Sequence, residues 1–290
     1  MLSPDVIVAG LVAGSMYGLL ALGYHITYIV SGTVNFSQGA SLMLGAVCGY
    51  LLHVRLGLPL AVAAVGAVAI CAVMGLLIHR LIVAPFSRNG SIAWLMSTIA
   101  FGIILENTVM LVFGKEARNM PSALPETPLR WFGTGIYPIE LLIPAVGLLC
   151  AVGLTLFLRR TLHGKALLAA AQNRDAALLQ GIAVPRLVAL AYMVSTALAG
   201  VAGLLIAPKT NVYAGMGVLF GLKAFAVAII GGIDSAAGVM VAGLVYGLIE
   251  AVIAASLPSA YREIIGFGLV ILVLAIKPEG LFGRRAAVKV

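Results

Sequence analysis

Three ionisable side chains stand inside long apolar runs: Glu106, beside Asn107, then Lys223 and Glu250. A charge at the centre of a bilayer costs roughly 2.5 to 3.5 kcal/mol even on a lenient insertion scale, so such groups usually face a protein interior and pair. Two chemistries fit the set. Lys223 can pair with Glu250 or Glu106 as a structural ion pair, or Glu106 and Lys223 can meet the two ends of a zwitterion. The reach of Lys223 and Glu250 towards an interface favours the structural pair. Neither chemistry makes or breaks a bond. His25, His53, His79 and His163 are scattered without ligand spacing, and Cys48, Cys71 and Cys150 lie far apart within apolar segments. No metal or cofactor is therefore expected. His-Glu-x-x-His and Gly-x-Ser-x-Gly are absent, and Gly14-Ser15-Met16-Tyr17-Gly18 places its serine one position early. No catalytic residue is assigned, and the chain is not expected to be an enzyme.

Uncharged polar residues are the second feature. The run from Val6 to Val54 has no Asp, Glu, Lys or Arg, yet its middle reads Asn35, Phe36, Ser37, Gln38, Gly39. An unpaired polar group in hydrocarbon costs several kcal/mol, so these side chains must find protein partners or line a wet cavity. A second interruption reads Gly231, Gly232, Ile233, Asp234, Ser235. Both precede a glycine-spaced apolar stretch. Paired breaks of this kind point to repeats facing a path, whose half-helix ends carry partial charge. The alternative is two tight turns at one face of the membrane.

The elements that must hold these residues are membrane helices. The chain has 290 residues, 62% hydrophobic and 10% charged, with a mean hydropathy of +1.13. A soluble domain carries about 25% charged residues, so lipid is expected to solvate most of this surface. A crossing needs about 20 apolar residues, and such windows fall near 6–30, 34–54, 58–79, 91–113, 138–158, 187–207, 217–233, 237–257 and 262–277. The expected fold is an all-α polytopic bundle of about eight or nine spans. Segments near 31–39 and 231–238 are expected to be broken or re-entrant, as is the one that starts near 217, and residues 1–290 to form one domain. The first five residues lack a basic signal-peptide head, so the first segment is expected to remain as a span. Gly10, Gly14 and Gly18, with Gly45/Gly49, Gly217/Gly221 and Gly243/Gly247, repeat every fourth residue and read as close-packing grooves.

The formal net charge of +8 comes from basic residues between hydrophobic runs, with no basic stripe for nucleic acid. It serves to orient the chain. Placing the loop of Arg80 and Arg88, the 159–186 loop and the tail after Lys277 in the cytoplasm leaves Arg55, Lys115, Arg118, Arg130, Lys209 and Arg262 outside. The N-terminus is then external and the C-terminus internal. The proline-rich 114–137 connection is an expected external loop, with Trp131 as interfacial anchor. The 159–186 loop is too polar for lipid and rich in helix formers. Asn173 suits the N-cap of a helix at 174–180, with Asp175 in its first turn and Gly181 just past its end. Such an element suits docking of a cytoplasmic partner; a helix lying on anionic lipid through Arg159, Arg160 and Lys165 is the alternative.

The series YGLLALGYHITYIVSGTVNFSQGASLMLGA, GKALLAAAQNRDAALLQGI, GLKAFAVAIIGGIDSAAGVMVAGLVYGLIEA and KPEGLFGRR resembles the permeases of branched-chain amino acid ABC importers, of the LIV-H type. The resemblance spans nearly the whole chain. It implies an inner-membrane permease subunit that pairs with a second related permease, is driven by two cytoplasmic ATP-binding subunits, and receives solute from a periplasmic binding protein. It further implies that the element engaging the ATPase maps onto 164–182, with Gly164, Asn173, Arg174, Asp175, Ala176 and Gly181 carrying the coupling. Asn35 to Gly39, Glu106, Lys223, Gly231, Gly232 and Ser235 are the path candidates. Family members commonly show Asn-Phe-Ala-His-Gly and Gly-Gly-x-Gly-Ser where this chain has Asn35 to Gly39 and Gly231 to Ser235. Relatives for urea, short amides or aromatic acids use a similar permease, and a self-sufficient secondary transporter is the alternative from another class.

Overall fold

The structure is a computed structural model in which residues 3–87, 92–122, 124–125, 127–131 and 134–283 are described. Arg88, the side chains of Arg130 and Trp131, and the end of the basic tail lie outside the described residues. Helices form nearly everything: α1 (Pro4–Ser31), α2 (Gln38–Tyr50), α3 (Leu60–Leu77), α4 (Ala93–Phe113), α5 (Pro138–Arg160), α6 (Leu162–Gln172), α7 (Arg174–Leu179), α8 (Val184–Thr210), α9 (Val218–Gly231), α10 (Ala236–Ser256) and α11 (Ser259–Ile276). α2 and α3 run on through π turns, Leu51–Arg55 and Ile78–Val83. A short antiparallel hairpin, β1 (Leu129–Trp131) with β2 (Thr134–Ile136), decorates the connection before α5.

Among the described residues, six helices are long and apolar enough to cross a membrane: α1, α3 with its π turn, α4, α5, α8 and α10. The expected windows near 34–54 and 217–233 hold short helices instead. At about 1.5 Å per residue, α9 covers roughly 20 Å and α2 with its π turn roughly 27 Å, both short of the roughly 30 Å of a hydrocarbon core. Each follows a non-helical stretch: 32–37 before α2 and 211–217 before α9. Both stretches open on a residue with positive φ, Gly32 at 67° and Asn211 at 62°, where the preceding long helix stops. Gly32 is in the left-handed helical region that suits glycine, whereas Asn211, with ψ 162°, takes an extended conformation that residues with a Cβ rarely adopt.

Packing around these breaks is repeated. α1 lies antiparallel along α10, with Gly10 on Leu248, Gly14 on Gly243 and Gly18 on Met240. α8 lies antiparallel along α3 in the same way, with Gly200 on Cys71 and Gly75 on Tyr192 and Thr196. α2 runs parallel to α8, bringing Gly45 to Gly200 and Gly49 to Leu204, while α9 packs on α1. α4 then covers α2 as α11 covers α9. The units α1–α4 and α8–α11 are thus interleaved copies of one arrangement. Their half-helices α2 and α9 start at the same depth, where Gly39 and Gly217 are packed backbone on backbone. Every glycine of the four-residue repeats sits in a helix contact, as the spacing predicts. The structure matches the break at 32–37 with the one at 211–217, whereas 231–235 is a tight turn at the far end of α9.

Candidate functional site

The polar break before α2 lies deep inside the bundle. Asn35, Ser37 and Gln38 are each 0% exposed. Asn35 Oδ1 accepts from the Ser37 hydroxyl at 2.6 Å and the Ser37 amide at 3.2 Å. Gln38 Nε2 donates to the Ser195 carbonyl of α8 at 2.9 Å, and the Ser195 hydroxyl donates to the Gly23 carbonyl of α1 at 2.9 Å and lies 3.0 Å from Gln38 Oε1. Thr33 and Tyr192 share a hydrogen bond of 2.8 Å. These contacts satisfy a kinked backbone inside the bundle and tie α1, α2 and α8 together. Phe36 is half-buried against Phe225, with ring centroids 4.9 Å apart. Gly39 is consumed by the contact with Gly217.

The charges gather elsewhere. Lys223 Nζ donates to Glu250 Oε1 at 2.6 Å and to Glu263 Oε1 at 2.7 Å, and the Tyr17 hydroxyl donates to Glu250 Oε2 at 2.6 Å. Arg262 Nε lies 3.6 Å from Glu250 Oε1. Two cations and two carboxylates balance, and Lys223 and Glu250 are buried. The cluster therefore joins α1, α9, α10 and α11. Of the two partners expected for Lys223, the structure supplies Glu250 and not Glu106. Arg262, Glu263 and Tyr17 escaped the sequence reading because the first two lie at a helix start and tyrosine is unremarkable in an apolar run.

Glu106 is half-buried on α4, its Oε1 beside Gly215 in the break before α9. Next to it, Asn107 and Thr108 are exposed among Ile103, Ile104, Leu111 and Val112. Asn107 Nδ2 donates to the Ile103 carbonyl at 2.8 Å and the Thr108 hydroxyl to the Ile104 carbonyl at 2.7 Å, so both satisfy themselves on their own helix. A polar stripe on an otherwise apolar face results.

Gly231, Gly232 and Ser235 belong to the turn between α9 and α10. The Ser235 hydroxyl caps α10, accepting from the Gly238 amide at 3.1 Å. Gly231 abuts Gly238, and Gly232, at φ 85°, abuts Gly283. The amides of Leu281 and Phe282 donate to the carbonyls of Ile230 and Gly231, at 2.7 and 3.2 Å. The Lys277–Gly283 stretch thus satisfies the open carbonyl end of α9, a role that composition alone does not reveal.

The 159–186 loop is a helical hairpin, α6 followed by α7. The Asn173 side chain caps α7 by accepting from the Ala176 amide at 3.0 Å. At the other end Gly181 takes φ 77°, its amide donates to the Leu178 carbonyl and the Ile182 amide to that of Ala177, both at 3.0 Å. This paired closure is the glycine-dependent Schellman stop. Arg174, Asp175, Ala176, Leu178 and Gly181 are exposed, and Leu179 is 87% exposed. Gly164 differs: it is buried, with the backbone of Phe157 and Leu158 where its Cβ would be. Gly164 lets α6 fold back on α5 and is a positioning residue for the hairpin. α6 was not anticipated as a separate helix, although its Ala/Leu content and Thr161, whose hydroxyl accepts from the Gly164 amide at 3.0 Å, supply the signal.

Known proteins resemble this chain along most of its length. LivH, the high-affinity branched-chain amino acid transport system permease protein of Escherichia coli K12, is 33% identical over 97% of this chain and 96% of its own. BraD of Pseudomonas aeruginosa, named for the same kind of system, is 35% identical over 98% and 97%. A probable LivH of Methanocaldococcus jannaschii is 29% identical over 91% and 88%. A chain of PsaBC from Streptococcus pneumoniae, solved in complex with Fab, superimposes at a TM-score of 0.48 with 17% identity, covering 93% of this chain and 91% of that one. Residues 6–274 match the family described as branched-chain amino acid transport system, permease component, and the chain belongs to that family.

Proposed function

We propose that this chain is the membrane subunit through which an ATP-driven importer passes branched-chain or similar apolar amino acids across the bacterial inner membrane. The observation that carries this is α7: a capped, glycine-terminated helix presenting Arg174, Asp175, Leu178 and Leu179 outward from the end of a bundle, left exposed by the described residues. Two cytoplasmic ATP-binding subunits engage α7, a second related permease completes the membrane domain, and a periplasmic binding protein delivers solute. With 32–55 and 211–231 counted as broken crossings and α11 as a full one, α1 to α11 make nine, an odd number that suits termini on opposite sides, and the basic residues of the 159–186 loop and of the tail favour an external N-terminus and an internal C-terminus.

The solute path runs along the exposed face of α4, where Glu106, Asn107 and Thr108 interrupt an apolar wall. Such a wall passes an aliphatic side chain without holding it, which leaves selection to the binding protein. ATP-driven closure of the partner subunits moves α7, and α6 transmits the movement to α5 through the tight fold at Gly164. The wedge of Asn35, Ser37 and Gln38 keeps the half-helix junction rigid while the units rock about it. Replacing Asn173 and Arg174 together tests the claim: solute-stimulated ATP hydrolysis by the assembled complex disappears while the permease remains inserted. Unchanged stimulation removes α7 from the coupling route.

A further inference from the structure

A cleft of about 830 Å³ lies between the ends of α1 and α5, the first turn of α10 and the α6–α7 hairpin. It has the size of a small-molecule site. Gly32, where the break before α2 begins, borders it, whereas Asn35 to Gly39, Gly217 and the polar residues of α4 are not part of its lining. Its lining divides by chemistry. His25 is 3% exposed and its Nδ1 faces the Ile233 carbonyl at 2.7 Å, so that nitrogen carries the ring proton and Nε2 is left as an acceptor. Asp234, the residue after that carbonyl, adds a carboxylate to the same side. Arg159, from the last turn of α5, and Arg174, from the start of α7, supply guanidinium groups. Ile29 and Leu168 make apolar wall. An acceptor pole, a cationic pole and an aliphatic surface in one cleft are what an α-amino acid with an apolar side chain requires. A phosphate headgroup would satisfy the arginines but meet Asp234.

We propose that this cleft binds the transported amino acid from the cytosolic side, and that occupancy restrains the α6–α7 hairpin against α1 and α10 and slows the ATP-driven cycle. The inference rests on the importer reading above and adds product inhibition to it. The two walls belong to different parts of the chain. α1 and α10 are zipped together by glycine contacts along their length, whereas the hairpin folds back from the end of α5. A ligand touching both walls fixes their separation, and it shifts the cycle by its preference for one separation over another.

The test uses the assembled transporter in vesicles of neutral phospholipid, ATPase side outward, with leucine-loaded binding protein inside and ATP and L-leucine added outside. The expected result is a fall in ATP hydrolysis of about fivefold as external leucine rises, within the usual range of coupling between sites. In Asp234→Asn combined with Arg159→Gln, which removes one charged contact at each pole, inhibition is expected to need at least about tenfold more leucine, with the uninhibited rate unchanged. Ala171→Trp, at an exposed position on the rim, fills the cleft and is expected to abolish the response to leucine. A wild-type rate indifferent to external leucine, with stimulation from inside intact, overturns this proposal alone. Absence of stimulation from inside overturns the importer reading with it. A rate that follows phosphatidylglycerol content, is blunted by the same substitutions and ignores leucine assigns the cleft to a lipid headgroup and overturns the proposal.

Discussion

Lys223 is surrounded by groups that need it. Removing it in Lys223→Met leaves Glu250 and Glu263 facing each other with only the distant Arg262 as counter-charge, a loss of about 3 to 5 kcal/mol for a broken buried pair. Removing Glu250 as well, in Lys223→Met/Glu250→Met, restores neutrality. The double variant should therefore unfold in detergent at a higher temperature than the single one; the reverse order would show that the ions act independently. Ser195→Ala makes a smaller demand. It deprives the Gln38 amide oxygen and the Gly23 carbonyl of one donor, and thermal unfolding should report a loss of about 1 to 2 kcal/mol. The polar character of Asn35, Ser37 and Gln38 was legible in the sequence, because such residues stand out in an apolar run. Their partners were not. Ser195 and Gly23 lie about 160 and 15 residues from Gln38 in sequence, and no spacing rule links them.

At the scale of elements, α7 was the most readable part of the chain. Asn173, Asp175 and Gly181 each act locally, within one turn, so their meaning does not depend on the rest of the fold. Asn173→Ala should cost α7 about 1 kcal/mol and let its first turn fray. Leu179→Asp should leave insertion unchanged and lower co-purification of the ATP-binding subunits, measured by pull-down from solubilised membranes; full recovery would mean that this exposed leucine faces something else. The half-helices were read less well. A window of apolar residues gives the same signal whether it is helical throughout or extended over one half, so 34–54 and 217–233 stood among the candidate spans even though breaks near 34 and 217 were expected. The break at 211–217 was not matched with the one at 32–37 because Asn211, Gly215 and Gly217 are spread over seven positions without a polar cluster. The more conspicuous glycines at 231 and 232 drew the pairing instead, and they serve a turn.

For the whole molecule, composition made the membrane setting plain, and family membership accounts for the activity, but the interleaving of α1–α4 with α8–α11 could not be read from the sequence. It depends on contacts between glycines about 200 residues apart, such as Gly14 with Gly243. That arrangement leaves α4, α11 and α7 largely exposed among the described residues, and the proposed assembly would set the first two against lipid or a second permease and the third against the ATP-binding subunits. The central claim is that this chain moves solute only as part of an ATP-driven assembly. Uptake of radiolabelled L-leucine into proteoliposomes tests it most directly, comparing the chain alone with the chain joined by its partner permease, ATP-binding subunits and binding protein. The account predicts uptake only with all components and ATP. Leucine accumulation by the chain alone, driven by an ion gradient and indifferent to ATP, would contradict it.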